Sequence, residues 1–189
     1  YTTFRETVKN ISASSLTNTR IWVGTQDDWI GSTDGPRKRR GNIASGSFSV
    51  LTSAATQAKA LEITAGTDMV YFYSTSNLAQ ISINNCCSFT NSTNQNPTTS
   101  NIDYTNDGSY AMYVRFQDIA PTSSETFTWY YVASSAANAA STLSTVSSAA
   151  VPSAPTVNSV TAGNSQAVVA FTPGAAGGPH LRPRRPAQG

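Results

Sequence analysis

Met69-Val70-Tyr71-Phe72-Tyr73 is the run on which the fold turns. It is too short for a core helix and is rich in aromatic and branched side chains. An unbroken apolar run of that length predicts a strand buried on both faces. Something must therefore cover each side of it. Downstream, Tyr110, Met112, Val114 and Phe116 recur at every second position, which predicts a strand with one face in the core. Glu125 to Val132 (ETFTWYYV) supplies a further aromatic strand.

Working outward, Thr2 to Val8 and Leu16 to Val23 predict two strands separated by the polar turn Asn10-Ile-Ser-Ala-Ser-Ser. Trp22 is expected in the core. Gln26 to Arg40 predicts a long loop rich in Asp, Gly, Pro and Arg. Phe48 to Leu51 and Ala60 to Thr64 predict short strands. Asn106-Asp107-Gly108 predicts a tight hairpin between Ile102–Thr105 and Ser109–Phe116, because Asp-Gly readily supplies positive φ. These segments together predict an all-β protein, an antiparallel β-sandwich over residues 1–132. Residues 133–151 form an Ala/Ser tract. It reads either as a short helix near 136–147, with Leu143 and Val146 three apart, or as a flexible linker.

Charged residues make up 12% of the chain, about half the usual share. Aromatics reach 10%, which argues for a packed core rather than disorder. Three of the twelve cations, Arg182, Arg184 and Arg185, lie in the last eleven residues, whereas all ten carboxylates precede them. The mild excess of positive charge therefore belongs to a basic tail, 179–189, expected to be disordered. A nucleic-acid footprint across a folded face is not expected, nor is membrane insertion, since no apolar run approaches the length of a span.

From Val151 the residues VPSAPTVNSVTAGNSQAVVAFTPGAAGG resemble the opening of a fibronectin type III module. The match carries a Pro-containing lead-in and two short strands joined at Gly163-Asn164. The resemblance implies an incomplete module over 152–178, its apolar face exposed at Val168, Val169 and Phe171, because the Pro- and Arg-rich residues after Gly178 cannot supply central strands. Residues 1–132 resemble a β-rich domain of large bacterial secreted or cell-surface proteins, on the stretches RIWVGTQDDWIGSTDGPRKRRGNI, NNCCSFTNSTNQNP and DGSYAMYVRF. That resemblance implies an extracellular, multidomain setting and a chain that begins and ends inside a longer protein. Surface glycans or other proteins are the expected partners.

Candidate sites cluster in the long loop. Asp27, Asp28 and Asp34 are candidate calcium ligands, since hard cations take several carboxylate and carbonyl oxygens; turn capping by Asp explains the same residues. Trp29, in the same loop, offers a flat face for a sugar ring. Arg37-Lys38-Arg39-Arg40 could meet an acidic polymer, but the more economical expectation is a solvated loop pairing with the three aspartates. Cys86 and Cys87 are adjacent, so they predict either a vicinal disulfide or two small reduced side chains. Two sulfurs fall short of a tetrahedral metal site. The sole histidine, His180, lies in the tail, leaving a Ser-His-Asp mechanism without a base in residues 1–132. Asp27, Asp28, Glu62, Asp68, Asp103, Asp107, Asp118 and Glu125 could in principle furnish a glycosidase pair, yet nothing marks two of them as partners. The expected function is a non-catalytic structural or adhesive module, with a calcium-assisted carbohydrate-binding module as the alternative and no resident cofactor.

Overall fold

The computed structural model describes residues 1–87, 101–150, 154–164 and 166–173. The basic tail and the start of the Pro-containing lead-in, 151–153, lie outside them. The protein is all-β, with antiparallel sheets in a sandwich-like arrangement and, among the described residues, one short α-helix. The strands are β1 (Thr2–Lys9), β2 (Arg20–Thr25), β3 (Arg37–Ala44), β4 (Ser47–Val50), β5 (Ala60–Ala65), β6 (Asp68–Tyr73), β7 (Ala79–Asn85), β8 (Asp103–Thr105), β9 (Gly108–Arg115), β10 (Ser124–Ser135), β11 (Thr156–Gly163) and β12 (Gln166–Thr172). Helix α1 is Ala139–Ala150.

The large sheet runs β1-β10-β6-β5-β3-β4, with β8 also paired to β3, and the small one runs β2-β9-β7. As the MVYFY run predicts, β6 lies inside the large sheet and buries both faces. Val70 and Phe72 pack with Ile81, Met112, Val114, Phe127 and Trp129 between the sheets. Tyr71 and Tyr73 point the other way, into a second core with Ile43, Tyr130 and Val132. Helix α1 covers that second face. Ala139, Leu143, Val146 and Ala150 form its buried stripe, at the four–three–four spacing that keeps one side of a helix on its support. A twelve-residue Ser/Thr-rich helix is marginal alone, so this apolar contact holds it in place.

The β3–β4 connection shows how tightly the helix fits. Ser45 and Gly46 both have positive φ, 50° and 77°, as a two-residue type I′ hairpin turn requires. A Cβ on Gly46 would stand 2.7 Å from the Ser144 Cα of α1, so the helix needs glycine beneath it. At the other end Asn10, fully buried, shapes the predicted polar turn: its Nδ2 donates to the carbonyls of Ser14 and Ile119, both at 2.8 Å.

Several local expectations are corrected. Arg37 to Arg40 are not a solvated loop: they open β3, with Lys38 and Arg40 fully buried. The Asp-Gly turn does not join a hairpin, because β8 pairs with β3 while β9 pairs with β2 and β7. Tyr104 and Asp103 are thereby drawn across to the basic strand. Trp22 is 37% exposed rather than core, since the small sheet turns that face outward. The second strand starts only at Arg20, and Leu16 makes an isolated bridge to Ile119.

Strands β11 and β12 form a separate two-stranded sheet. The register shifts between Val157 and Ser159, setting Asn158 as an extra residue. That bulge keeps Val157 with Phe171 and Val160 with Val169 on one apolar face despite their odd spacing. Val157, Val160, Val169 and Phe171 are all at least half exposed. Val168 falls on the opposite face with Thr161.

Candidate functional site

The loop between β2 and β3, the Asp107-Gly108 step and the residues after β7 meet at one end of the sandwich. Local hydrogen bonds fix the loop. Ile30 and Thr33 exchange backbone bonds at 3.1 and 3.2 Å around Gly31, whose φ is 61°. Thr25 Oγ1 donates to the Asp27 carbonyl at 2.5 Å, and Gly35 N–H donates to Thr33 Oγ1 at 3.1 Å. Trp29 projects from this frame, 67% exposed, with Nε1 donating to the Gly31 carbonyl at 3.2 Å.

Asp28 points inward. Its side chain is fully buried and forms an ion pair with the equally buried Lys38. Its Oδ1 also accepts the Gly108 N–H at 3.1 Å. Lys38 Nζ donates further to the carbonyls of Pro36 at 3.0 Å and Asn106 at 2.7 Å, and lies 5.5 Å from the centre of the Tyr104 ring. Burial lifts the Asp28 carboxyl above the ordinary aspartate range, against the downward pull of Lys38 and the Gly108 N–H. Asp28 is therefore a buried tie between three segments, its carboxylate engaged by Lys38 and the Gly108 N–H.

Carboxylates crowd around this tie. One oxygen each from Asp28, Asp34 and Asp107 lies within 4.8 Å of the others, and Asp27 is within hydrogen-bonding reach of Asp34. Two of the three candidate calcium ligands, Asp28 and Asp34, thus converge with Asp107, which the sequence marked as a turn residue and as one of the possible glycosidase carboxylates, while Asp27 joins Asp107 in a second group. The Lys38 ammonium already supplies one positive charge there. Asp27 and Asp107 also approach the sulfurs of Cys86 and Cys87, one ligand atom from each of the four lying within 4.8 Å of the rest. The structure joins the two cysteines to each other. The pairing expected between the basic run and the aspartates is made by Lys38 with Asp28, but in a buried strand rather than a solvated loop, and the placing of Asp107 beside them was not foreseen. Lys38 and Asp107 were both visible, one in a basic run and one in an Asp-Gly turn, but each signal has a commoner local explanation.

The Asp34 carboxyl is raised, first by lost hydration and then by the charges of Asp107 and Asp27. A raised carboxyl pKa means that the folded state binds the proton more tightly than the unfolded one. The contribution of Asp34 to stability is then fullest below the ordinary aspartate value of 3.8 and is lost as pH rises from there through the folded value. Asp34→Asn should flatten that fall, gaining on the wild type as pH rises. Melting temperatures of the two proteins across a pH series check this; parallel curves would show that the crowding is screened away.

The remaining basic residues of β3 are paired within the chain. Arg37 Nε donates to Asp103 Oδ1 at 2.8 Å and Nη2 to Oδ2 at 2.5 Å, which holds the Asp103 carboxyl below its usual range. Arg39 Nε donates to Glu62 Oε1 at 2.6 Å, and the Tyr71 hydroxyl donates to Glu62 Oε2 at 3.0 Å. Glu62 borders an open hollow of about 280 Å³ between β4 and α1, with Phe48, Tyr71 and Leu143. Comparison with protein families, curated proteins and solved structures finds no match to this chain. No helix among the described residues is long and apolar enough to cross a membrane.

Proposed function

We propose that the chain is a non-catalytic structural or adhesive module of a bacterial extracellular multidomain protein. The observation that carries this reading is the use made of its carboxylates. Asp28, Glu62 and Asp103 each hold a cation of β3. They tie strands and loops together, which engages three of the carboxylates that a glycosidase pair would have to draw on. The Ser/Thr/Asn-rich strands and the fibronectin-like continuation agree with the extracellular, modular setting. Incubation with a broad set of glycoside substrates tests the reading: no turnover is expected, and turnover lost on replacing one Asp or Glu would overturn it.

One observation favours carbohydrate binding as the form the adhesion takes. Trp29 is the most exposed aromatic side chain among the described residues of the sandwich. It is held by a hydrogen-bonded loop beside Asp27 and Asp34, so a sugar ring could stack on it while the carboxylates accept its hydroxyl protons. Binding on a glycan array should vanish in Trp29→Ala, while stability changes by no more than about 0.5 kcal/mol because the ring is solvated. Repeating the array with a chelator shows whether calcium assists. Glycan binding that survives Trp29→Ala would remove the ring from the contact.

A further inference from the structure

We propose that reduction of the Cys86–Cys87 bond opens a binding site for one thiophilic divalent cation, zinc-like in preference, formed by Cys86, Cys87, Asp27 and Asp107. Two sulfurs alone do not make such a site, and in sequence nothing else stands near them. The fold supplies the rest. Asp27 arrives from the β2–β3 loop and Asp107 from the β8–β9 turn, and a ligand atom of each lies within 4.8 Å of the other three. A tetrahedral zinc centre with Zn–S of about 2.3 Å and Zn–O of about 2.0 Å spaces its ligands about 3.3 to 3.8 Å apart. The two sulfurs, bonded to each other in the oxidised chain, part on reduction to reach that spacing, while the carboxylate oxygens, already within 4.8 Å of them, draw in.

Three further features agree. Consecutive residues of a strand point to opposite faces, but β7 ends at Asn85, and Cys87 has φ of 123°. The chain turns there, so both sulfurs fall on one side. Cys87 and Asp27 are exposed while Cys86 and Asp107 are half-buried, giving an entry path on one side and a fixed wall on the other. Asp107 Oδ1 is buried without a hydrogen-bond partner, and a metal ion would satisfy it. Two thiolates favour zinc or cadmium over calcium or magnesium, which distinguishes this site in metal preference from the oxygen-only cluster of Asp28 and Asp34, with which it shares Asp107.

The chemistry balances with a tertiary phosphine as reductant. The S–S bond breaks and phosphorus gives up two electrons to become a phosphine oxide. Water supplies the oxygen and the two protons that leave Cys86 and Cys87 as thiols. The metal then displaces those two protons into the buffer. Oxidised chain holds no free thiolate and so takes no thiophilic metal. Redox state thereby gates metal loading, independently of any adhesive role.

The test uses the full chain, reduced with phosphine and desalted under inert gas, then titrated with cobalt(II) as a spectroscopic stand-in for zinc. The expected result is one cobalt per chain with thiolate charge-transfer absorption, displaced by zinc, and no such absorption in the oxidised protein. Asp27→Asn and Asp107→Asn should each weaken binding by at least the roughly tenfold that even an outer-shell partner costs. The exposed position of Asp27 keeps the first variant folded, as far-ultraviolet circular dichroism would verify. The proposal is overturned if reduced protein shows no thiolate band, if oxidised protein binds cobalt equally well, or if Asp27→Asn binds as tightly as the wild type.

Discussion

Lys38→Met should lower unfolding stability by about 3–5 kcal/mol, the range measured when one partner of a buried ion pair is removed. Both side chains of the Lys38–Asp28 pair are fully buried. The ammonium also satisfies the carbonyls of Pro36 and Asn106. Methionine keeps most of the volume but leaves Asp28 as a lone buried carboxylate and strands two acceptors, each with its own desolvation penalty. Asp28 would respond by taking up a proton, which trims the loss and adds a pH dependence absent from a simple packing defect. Urea unfolding followed by circular dichroism measures the change, with the slope expected to hold and the midpoint to fall. The double variant Lys38→Met/Asp28→Leu should recover much of the loss, because an apolar pair no longer asks for a charge. A single-variant loss below about 1 kcal/mol would place the pair in the range of solvent-exposed ion pairs. The loop bearing Trp29 would then need another anchor.

That pair also marks where sequence reading stops. The alternating Tyr110 to Phe116 run and the continuous MVYFY run announced their burial directly, because side-chain periodicity maps onto faces without any knowledge of neighbours. Two packed faces on β6 follow from those patterns, whereas the Ala/Ser tract left helix and linker open, and only the fold shows the helix that covers the second face. The RKRR run carries no such information. Lysine and arginine are almost never fully buried unless paired, and the partners of Arg39 and Arg37 lie 23 and 66 residues away. Only the three-dimensional register, which pairs Arg37 with both Thr64 and Thr105, sets those carboxylates beside the cations. The Asp-Gly turn misled for a related reason. Neither Asp107 nor Gly108 takes the positive φ that the dipeptide announces, and whether the flanking segments pair with each other depends on what else competes for their edges, and β3 won β8. The candidate site was half legible: Asp27, Asp34 and Trp29 share one loop, whereas Asp107, Lys38 and the cysteines reach it only through the fold.

Trp129→Ala is expected to cost about 3–5 kcal/mol, as truncation of a buried large aromatic does. Trp129 is 6% exposed and lies in the core between the sheets. Its ring stacks on Phe4 at 4.2 Å and on Phe72 at 5.8 Å, with interplanar angles of 10° and 13°. Phe72 in turn contacts Tyr110 at 5.3 Å and Tyr131 at 5.4 Å, so the stack links the edge strand β1 to the small sheet. Phe4 sits directly opposite Trp129 in the β1–β10 register. Losing the indole removes the main apolar anchor of β1, and amide exchange along Thr2–Lys9 should quicken more than along β6. Trp129→Phe separates packing from polarity. The buried indole Nε1 makes no hydrogen bond, so its removal relieves an unmet donor, while a phenyl ring keeps the offset stack and gives up some volume. These terms oppose each other, and the variant should stay within about 1.5 kcal/mol of the wild type, the usual bound for core changes of similar shape. Denaturant midpoints of the two variants decide the matter: if phenylalanine proves as damaging as alanine, the indole nitrogen is bonded after all and the stack is not what secures β1.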